Sequence, residues 1–370
     1  MDIPTWPISG ERELELLTQV LESDRWGGHH EFAGRFEREF SAFQHCSEGV
    51  SACNGTVTLE MALEALKIGN GDEVIVPAIS FISTATAVSR VGATPVFVDI
   101  EPYSFLIDPE RVEQAIGPRT RAIMAVHFGG PMADMDRLSA IAAHHGLKLI
   151  EDAAHAHGSE WNGRRAGSLG VAGSFSFQNS KVMTAGEGGM LTSNDADMMQ
   201  RVRSIADQGR RPGGGWFFHY TLGTNYRMTA WQAAVLLAQL ERLPEQNCLR
   251  ARNAAILREL VLDAPGLTLQ RIAPEARVHT NYLLLGRIDA ASFGRTREQL
   301  QREMAEAGVP FTPFYPHVLY RNPLYQTGGC RVEPCPVAEA CITDAFWLPH
   351  RVLLGKEEDI RTIGGILCGC

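Results

Sequence analysis

From about residue 55 to residue 193 the chain alternates between two hydrophobic periods. Short apolar runs rich in β-branched residues read as strands at 74–76, 94–98, 121–127, 147–150, 173–177 and 189–192. Helical spacing falls between the early runs. In 56–67, for example, Leu59, Ala62, Leu63 and Leu66 share one face. Strands that are apolar throughout and alternate with helices predict an α/β fold with a mainly parallel sheet covered on both faces. Ligands of such sheets sit beyond the carboxyl ends of the strands.

The pattern changes after residue 228. A long helix is predicted over 229–243, and Pro244 is expected to interrupt it before a second helical run at 247–262. This divides the chain into a large domain, 1–244, and a smaller C-terminal α+β domain, 245–370. The second part holds a strand at 282–287, a helix at 295–307 and a loop-like stretch at 309–325. That loop supplies Phe311, Phe314, Tyr315, His317 and Tyr320, and no cation before Arg321. It is the expected place for substrate contacts.

Composition narrows the partners. Forty-three acidic against 34 basic residues leave a net charge of −9, which repels a phosphodiester backbone and argues against nucleic acid. No apolar run approaches the roughly 18 residues of a membrane span, and Met1-Asp2-Ile3-Pro4 opens without a basic region, so a soluble, cytoplasmic protein is expected. The eight cysteines read as reduced thiols. Cys330, Cys335 and Cys341 lack zinc-site spacing, and Cys368 with Cys370 reads as a pair of terminal thiols, so no metal is expected.

Three segments carry candidate chemistry. Strand 147–150 runs into Glu151-Asp152, placing a carboxylate at the ligand edge of the sheet. Asp152 reads either as a helix cap or as the partner of a protonated cofactor ring. His155 and His157 follow, and a lone His-x-His is a weak metal signal. In 173–189 a strand enters a polar turn, presents Lys181 and returns through Gly186-Glu-Gly-Gly189 to another strand. A lysine held on such a loop suits Schiff-base chemistry. Third, Asn54-Gly55-Thr56 opens a helix, a place for phosphate or for ordinary capping. The glycine patterns of NTPases and dinucleotide dehydrogenases are absent.

Taken together, Asn54-Gly55-Thr56, Phe81 in Ser80-Phe-Ile-Ser-Thr-Ala85, Glu151-Asp-Ala-Ala-His155, Ser176-Phe-Gln-Asn-Ser-Lys181 and Gly223-Thr-Asn-Tyr-Arg-Met228 resemble the DegT/DnrJ/StrS family. Its members are fold-type-I enzymes dependent on pyridoxal 5'-phosphate (PLP), mostly sugar and cyclitol aminotransferases of secondary metabolism. The resemblance implies that Lys181 is the Schiff-base lysine and proton shuttle and that Asp152 pairs with the pyridine nitrogen. It further implies that Phe81 stacks on the ring and that His155 lies beside it. Gly55, Thr56 and Ser176 would hold the phosphate with Gln178 close by, and Asn225 would reach the cofactor of a partner in a homodimer.

Pro4-Thr-Trp-Pro7 and Trp347-Leu-Pro-His-Arg-Val-Leu-Leu-Gly355 look more like the branch holding scyllo-inosose aminotransferases and 3-amino-5-hydroxybenzoate synthases. The implied reaction moves an amino group from glutamine or glutamate to a keto-cyclitol or keto sugar. A synthase of the aminohydroxybenzoate type and a nucleotide-sugar aminotransferase are the alternatives.

Overall fold

The computed structural model describes residues 1–369, so Cys370 of the expected terminal thiol pair lies outside the described residues. Helices α1 (Glu11–Glu22) and α2 (Glu31–Phe43) precede strand β1 (Glu48–Ala52). Then follow α3 (Gly55–Ala65), β2 (Glu73–Pro77), α4 (Ser83–Arg90), β3 (Thr94–Val98), α5 (Pro109–Ala115), β4 (Thr120–Val126), α6 (Met135–His145) and β5 (Lys148–Asp152). A small hairpin of β6 (Glu160–Trp161) and β7 (Arg164–Arg165) leads to β8 (Ala172–Ser176) and β9 (Gly189–Ser193).

Apart from that hairpin, these strands, with β13 (Arg331–Val332), form an eight-stranded sheet in the order β1-β9-β8-β5-β4-β2-β3-β13. Only β9 runs against its neighbours among the described residues. The sheet is buried on both faces: along β2, Ile75 enters one apolar core while Val74 and Val76 enter another. This is why the strands read as unbroken apolar runs. The strand β13 was read as part of no element; two residues are too few to carry a period. It returns the C-terminal part of the chain to the edge of the large sheet.

After α7 (Ala196–Ala206), helix α8 runs without interruption from Ala230 to Leu260, and Pro244 lies inside it. The expected break is thus absent. Pro244 removes one backbone donor, but burial of Leu236, Leu237 and Leu243 on one side of it, and Ala254 and Leu257 on the other, holds the helix together. The first half packs into the core of the large sheet and the second into a separate core under a four-stranded antiparallel sheet. That sheet orders β10 (Leu267–Leu269), β11 (Leu283–Ile288), β14 (Ala345–Pro349) and β12 (Thr312–Pro313) as β10-β11-β14-β12. No helix among the described residues is long and apolar enough to cross a membrane.

Candidate active site

The two adjacent carboxylates at the end of β5 face opposite sides of the sheet and do different work. Glu151 is fully buried and accepts from His127 Nε2 at 2.9 Å and from the backbone N–H groups of Gly167, Leu169 and Gly170 at 2.8, 2.8 and 2.6 Å. Burial pushes its carboxyl up, but the His127 contact and these N–H groups outweigh that and hold it below the usual range. It is a structural anchor. Asp152 points to the ligand edge, where its Oδ2 accepts from Thr84 Oγ1 at 2.7 Å and its Oδ1 from Ala154 N at 3.3 Å. No helix follows it, so it caps a turn. Burial raises its carboxyl despite those bonds and the nearby Lys181 charge, so its ionised form lacks a full cationic partner.

Lys181 sits partly buried in the 177–188 loop between β8 and β9. The loop is clamped at several points. Ser180 Oγ donates to Gln178 Oε1 at 2.8 Å, which leaves Tyr282 to donate its hydroxyl proton to Ser180 Oγ at 2.9 Å. His350 Nε2 meets the Ser180 carbonyl at 3.1 Å, and Trp6 Nε1 donates to the Asn179 carbonyl at 2.9 Å. The result places Lys181 Nζ 4.8 Å from the centroid of the Tyr282 ring. Two imidazole rings also contact Tyr282, His155 with centroids 4.3 Å apart and His350 with centroids 5.8 Å apart. Burial, then the Lys181 charge, hold His155 neutral well below the usual imidazole range.

The third side is the start of α3. Asn54 is its N-cap, accepting from Val57 N at 3.1 Å, so the capping reading of this residue is right. The first-turn N–H groups at Gly55 and Thr56 have no acceptor within the helix. A Cβ on Gly55 would stand 2.6 Å from Ser176 Cβ. Only glycine lets α3 approach the end of β8 this closely. Thr56 Oγ1 and Ser83 Oγ, 2.8 Å apart, add hydroxyls from α3 and α4.

These groups surround one cavity of about 1370 Å³. Of the residues expected from the sequence, Gly55, Thr56, Phe81, Asp152, His155, Ser176, Gln178 and Lys181 line it. Phe81 is 59% exposed, an aromatic face open to the cavity. Asn225 is exposed and does not line it; its Oδ1 accepts from Arg227 N at 3.4 Å. His157 is buried behind the site with Nε2 at 2.9 Å from the Ser176 carbonyl, and among the described residues no cluster of side chains could hold a metal ion.

The aromatic stretch 309–325 contributes less than expected. Only Thr312 and Tyr315 from it reach the cavity. Phe311 stacks on Phe346, Phe314 packs on Phe105 and Phe128, and Arg321 pairs with Glu339 at 2.7 Å. The cations at the cavity besides Lys181 are instead Arg90, paired with Glu60 at 2.9 Å, and Arg351. Trp6, Thr84, Tyr282, Trp347, His350 and Arg351 were not foreseen as site residues. They come from far-apart segments, and no local pattern announces their convergence.

A model of the DegT/DnrJ/EryC1/StrS aminotransferase family matches residues 7–367. The 3-amino-5-hydroxybenzoate synthase of Amycolatopsis mediterranei (strain S699) is 38% identical over 379 residues, covering 99% of this chain and 96% of that protein. The L-glutamine:2-deoxy-scyllo-inosose aminotransferase of Streptoalloteichus tenebrarius is 37% identical over 392 residues, covering 97% and 92%. A crystal structure of 3-amino-5-hydroxybenzoic acid synthase matches the fold with a TM-score of 0.94 at 36% identity, over 100% of this chain and 98% of that one. With a family model matched over nearly its whole length and these relatives at 37–38% identity, the chain belongs to the DegT/DnrJ/EryC1/StrS aminotransferase family.

Proposed function

We propose that the chain is a cytoplasmic, homodimeric, PLP-dependent aminotransferase that moves the amino group of L-glutamine onto the ketone of a free cyclitol of the scyllo-inosose type. The observation that carries this reading is the meeting of Lys181, Asp152 and the open start of α3 in one cavity. The residues fit PLP. Asp152 is a buried carboxylate whose nearest donors are neutral, which suits a protonated pyridine nitrogen. The Gly55 and Thr56 N–H groups with the hydroxyls of Thr56 and Ser176 suit a phosphate. PLP, when bound, supplies an electrophilic carbon that takes up amines and a ring that accepts electrons.

The chain's own groups then have defined tasks. Lys181 Nζ is the amine that would hold the cofactor covalently and the base that would move a proton at the reacting carbons. Asp152 would pair with the ring nitrogen and keep it protonated. Phe81 would offer its open face to the ring, the neutral His155 would lie beside it, and Gln178, through Ser180, holds the lysine loop in register. Asn225, exposed and outside the cavity of its own chain, is assigned to the partner subunit's cofactor phosphate.

A free ring is favoured over a nucleotide-linked sugar because the cavity wall is aromatic and Arg90 is already committed to Glu60. One uncommitted guanidinium is a poor match for a diphosphate. Incubation of the loaded protein with L-glutamine and scyllo-inosose, with product identified by mass spectrometry, tests this. An aminocyclitol is expected. Faster amination of a nucleotide-linked 4-keto sugar overturns the substrate assignment, and an aromatic amine formed from a cyclic keto acid favours the synthase reading.

A further inference from the structure

One guanidinium of the cavity has neither a carboxylate partner among the described residues nor a task in the reaction. Arg351 follows His350 at the end of β14 and lines the same cavity as Lys181, Trp6 and Trp347. Its Nη1 donates to the Pro4 carbonyl at 3.1 Å. No carboxylate pairs with it among the described residues, whereas Arg90, the other guanidinium at the cavity, is paired with Glu60. Of its five N–H donors one is therefore used and four remain. The Pro4 bond fixes the guanidinium against the N-terminal segment, and Trp6 of that segment is tied in turn to the Asn179 carbonyl two residues before Lys181. The cation is thus held at a set place relative to the lysine loop.

Both partners of an amino transfer visit this cavity in turn. A keto-cyclitol is neutral, but the amino donor carries an α-carboxylate on the carbon that loses its nitrogen. We propose that Arg351 is the subsite for that carboxylate, a planar fork that fixes the donor with its amine toward Lys181. This rests on the donor assignment above. A guanidinium–carboxylate pair of this kind is geometrically specific, which a lysine cannot fully replace.

The test is binding, so it does not depend on turnover. Calorimetric titration of the cofactor-loaded protein with glutaramate, the skeleton of glutamine without its amine, is expected to show a Kd raised roughly ten- to a hundred-fold in Arg351→Gln, the span expected for a hydrogen-bonded charged group. Arg351→Lys is expected to fall between. The neutral diamide of glutarate, which lacks the carboxylate, is expected to bind wild type and Arg351→Gln alike. Equal glutaramate binding by wild type and Arg351→Gln overturns the proposal. So does a parallel loss of the diamide, which marks a merely structural role. Loss of a cyclic acid such as shikimate with glutaramate unaffected assigns the carboxylate to a ring substrate and overturns the donor subsite. Glutaramate binding through Arg351 in a protein that does not turn over glutamine would fault the functional reading and leave the subsite standing.

Discussion

Thr84 Oγ1 donates to Asp152 Oδ2 at 2.7 Å, and Ser80 Oγ, 2.6 Å from Thr84 Oγ1, supplies the hydrogen that Thr84 accepts. A relay from the turn before α4 into its first turn thereby fixes which way the buried carboxylate points. Thr84→Val keeps the shape and removes the donor. It is expected to weaken PLP binding by about tenfold, the scale of one hydrogen bond to a charged group. Equilibrium titration of the apoprotein with PLP checks this, and an unchanged Kd would remove Thr84 from the site.

Neighbouring substitutions at Glu151 and Asp152 are expected to separate stability from chemistry. Glu151→Gln turns an amide toward three backbone donors and is expected to cost about 3 kcal/mol or more. Asp152→Asn is expected to leave the urea midpoint unchanged or raised, since it removes a buried charge, while turnover falls by about 10²–10³-fold. The two assays read side by side would refute the division of labour if both variants lost stability equally.

How much of this was legible in the sequence depends on the length of the signal. Strands β2 to β5 were visible because burial on both faces leaves short apolar runs, and Asp152 stood out because it ends such a run at the ligand edge; β8 and β9, which carry serine and threonine, showed as the two arms of the polar, glycine-rich loop that presents Lys181. Helices α1 and α2 and strand β1 went unread, and β13 is too short to show a period. Pro244 misled because a local rule about backbone donors was overridden by packing on both sides of it. Phe311 and Phe314 misled in another way: composition marks a segment as aromatic but not which rings turn inward. Tyr282, His350 and Arg351 join the site only through the pairing of β11 with β14.

Acid is expected to destabilise the fold before its carboxylates titrate. Burial, aided by the Lys181 charge for His157 and the Arg258 charge for His279, pushes both rings down to about 3. In the unfolded chain such rings take up protons near pH 6.5. Between those values the unfolded state binds more protons, so this stability is complete above about pH 6.5 and is lost as pH falls. Asp152, raised by burial, acts in the opposite sense: its contribution is lost as pH rises, so Asp152→Asn should steepen the acid loss. Calorimetry at pH 7.5 and 5.5 is expected to give a lower Tm at 5.5, with a smaller drop in His157→Gln. A Tm that holds or rises at pH 5.5 would contradict it.

A shared site predicts complementation between subunits. The 208–224 segment that leads to Asn225 exposes Phe217 and Leu222 at 85% and 96%, an apolar surface suited to a second copy of the chain. Mixed dimers of Lys181→Ala and Asn225→Ala subunits should recover partial activity, because one of their two sites regains both groups. Absence of recovery despite confirmed subunit exchange would count against a site shared between subunits.

The central claim is that Lys181 is the residue that bonds the cofactor. The chain has four lysines, Lys67, Lys148, Lys181 and Lys356, so the attachment site can be resolved cleanly. Borohydride reduction of the protein loaded with PLP, followed by peptide mapping, is expected to recover the reduced cofactor on Lys181 alone, and Lys181→Ala is expected to bind PLP without becoming reducible. Recovery on Lys67, Lys148 or Lys356 in place of Lys181, or no reducible adduct in the wild type, would contradict the account.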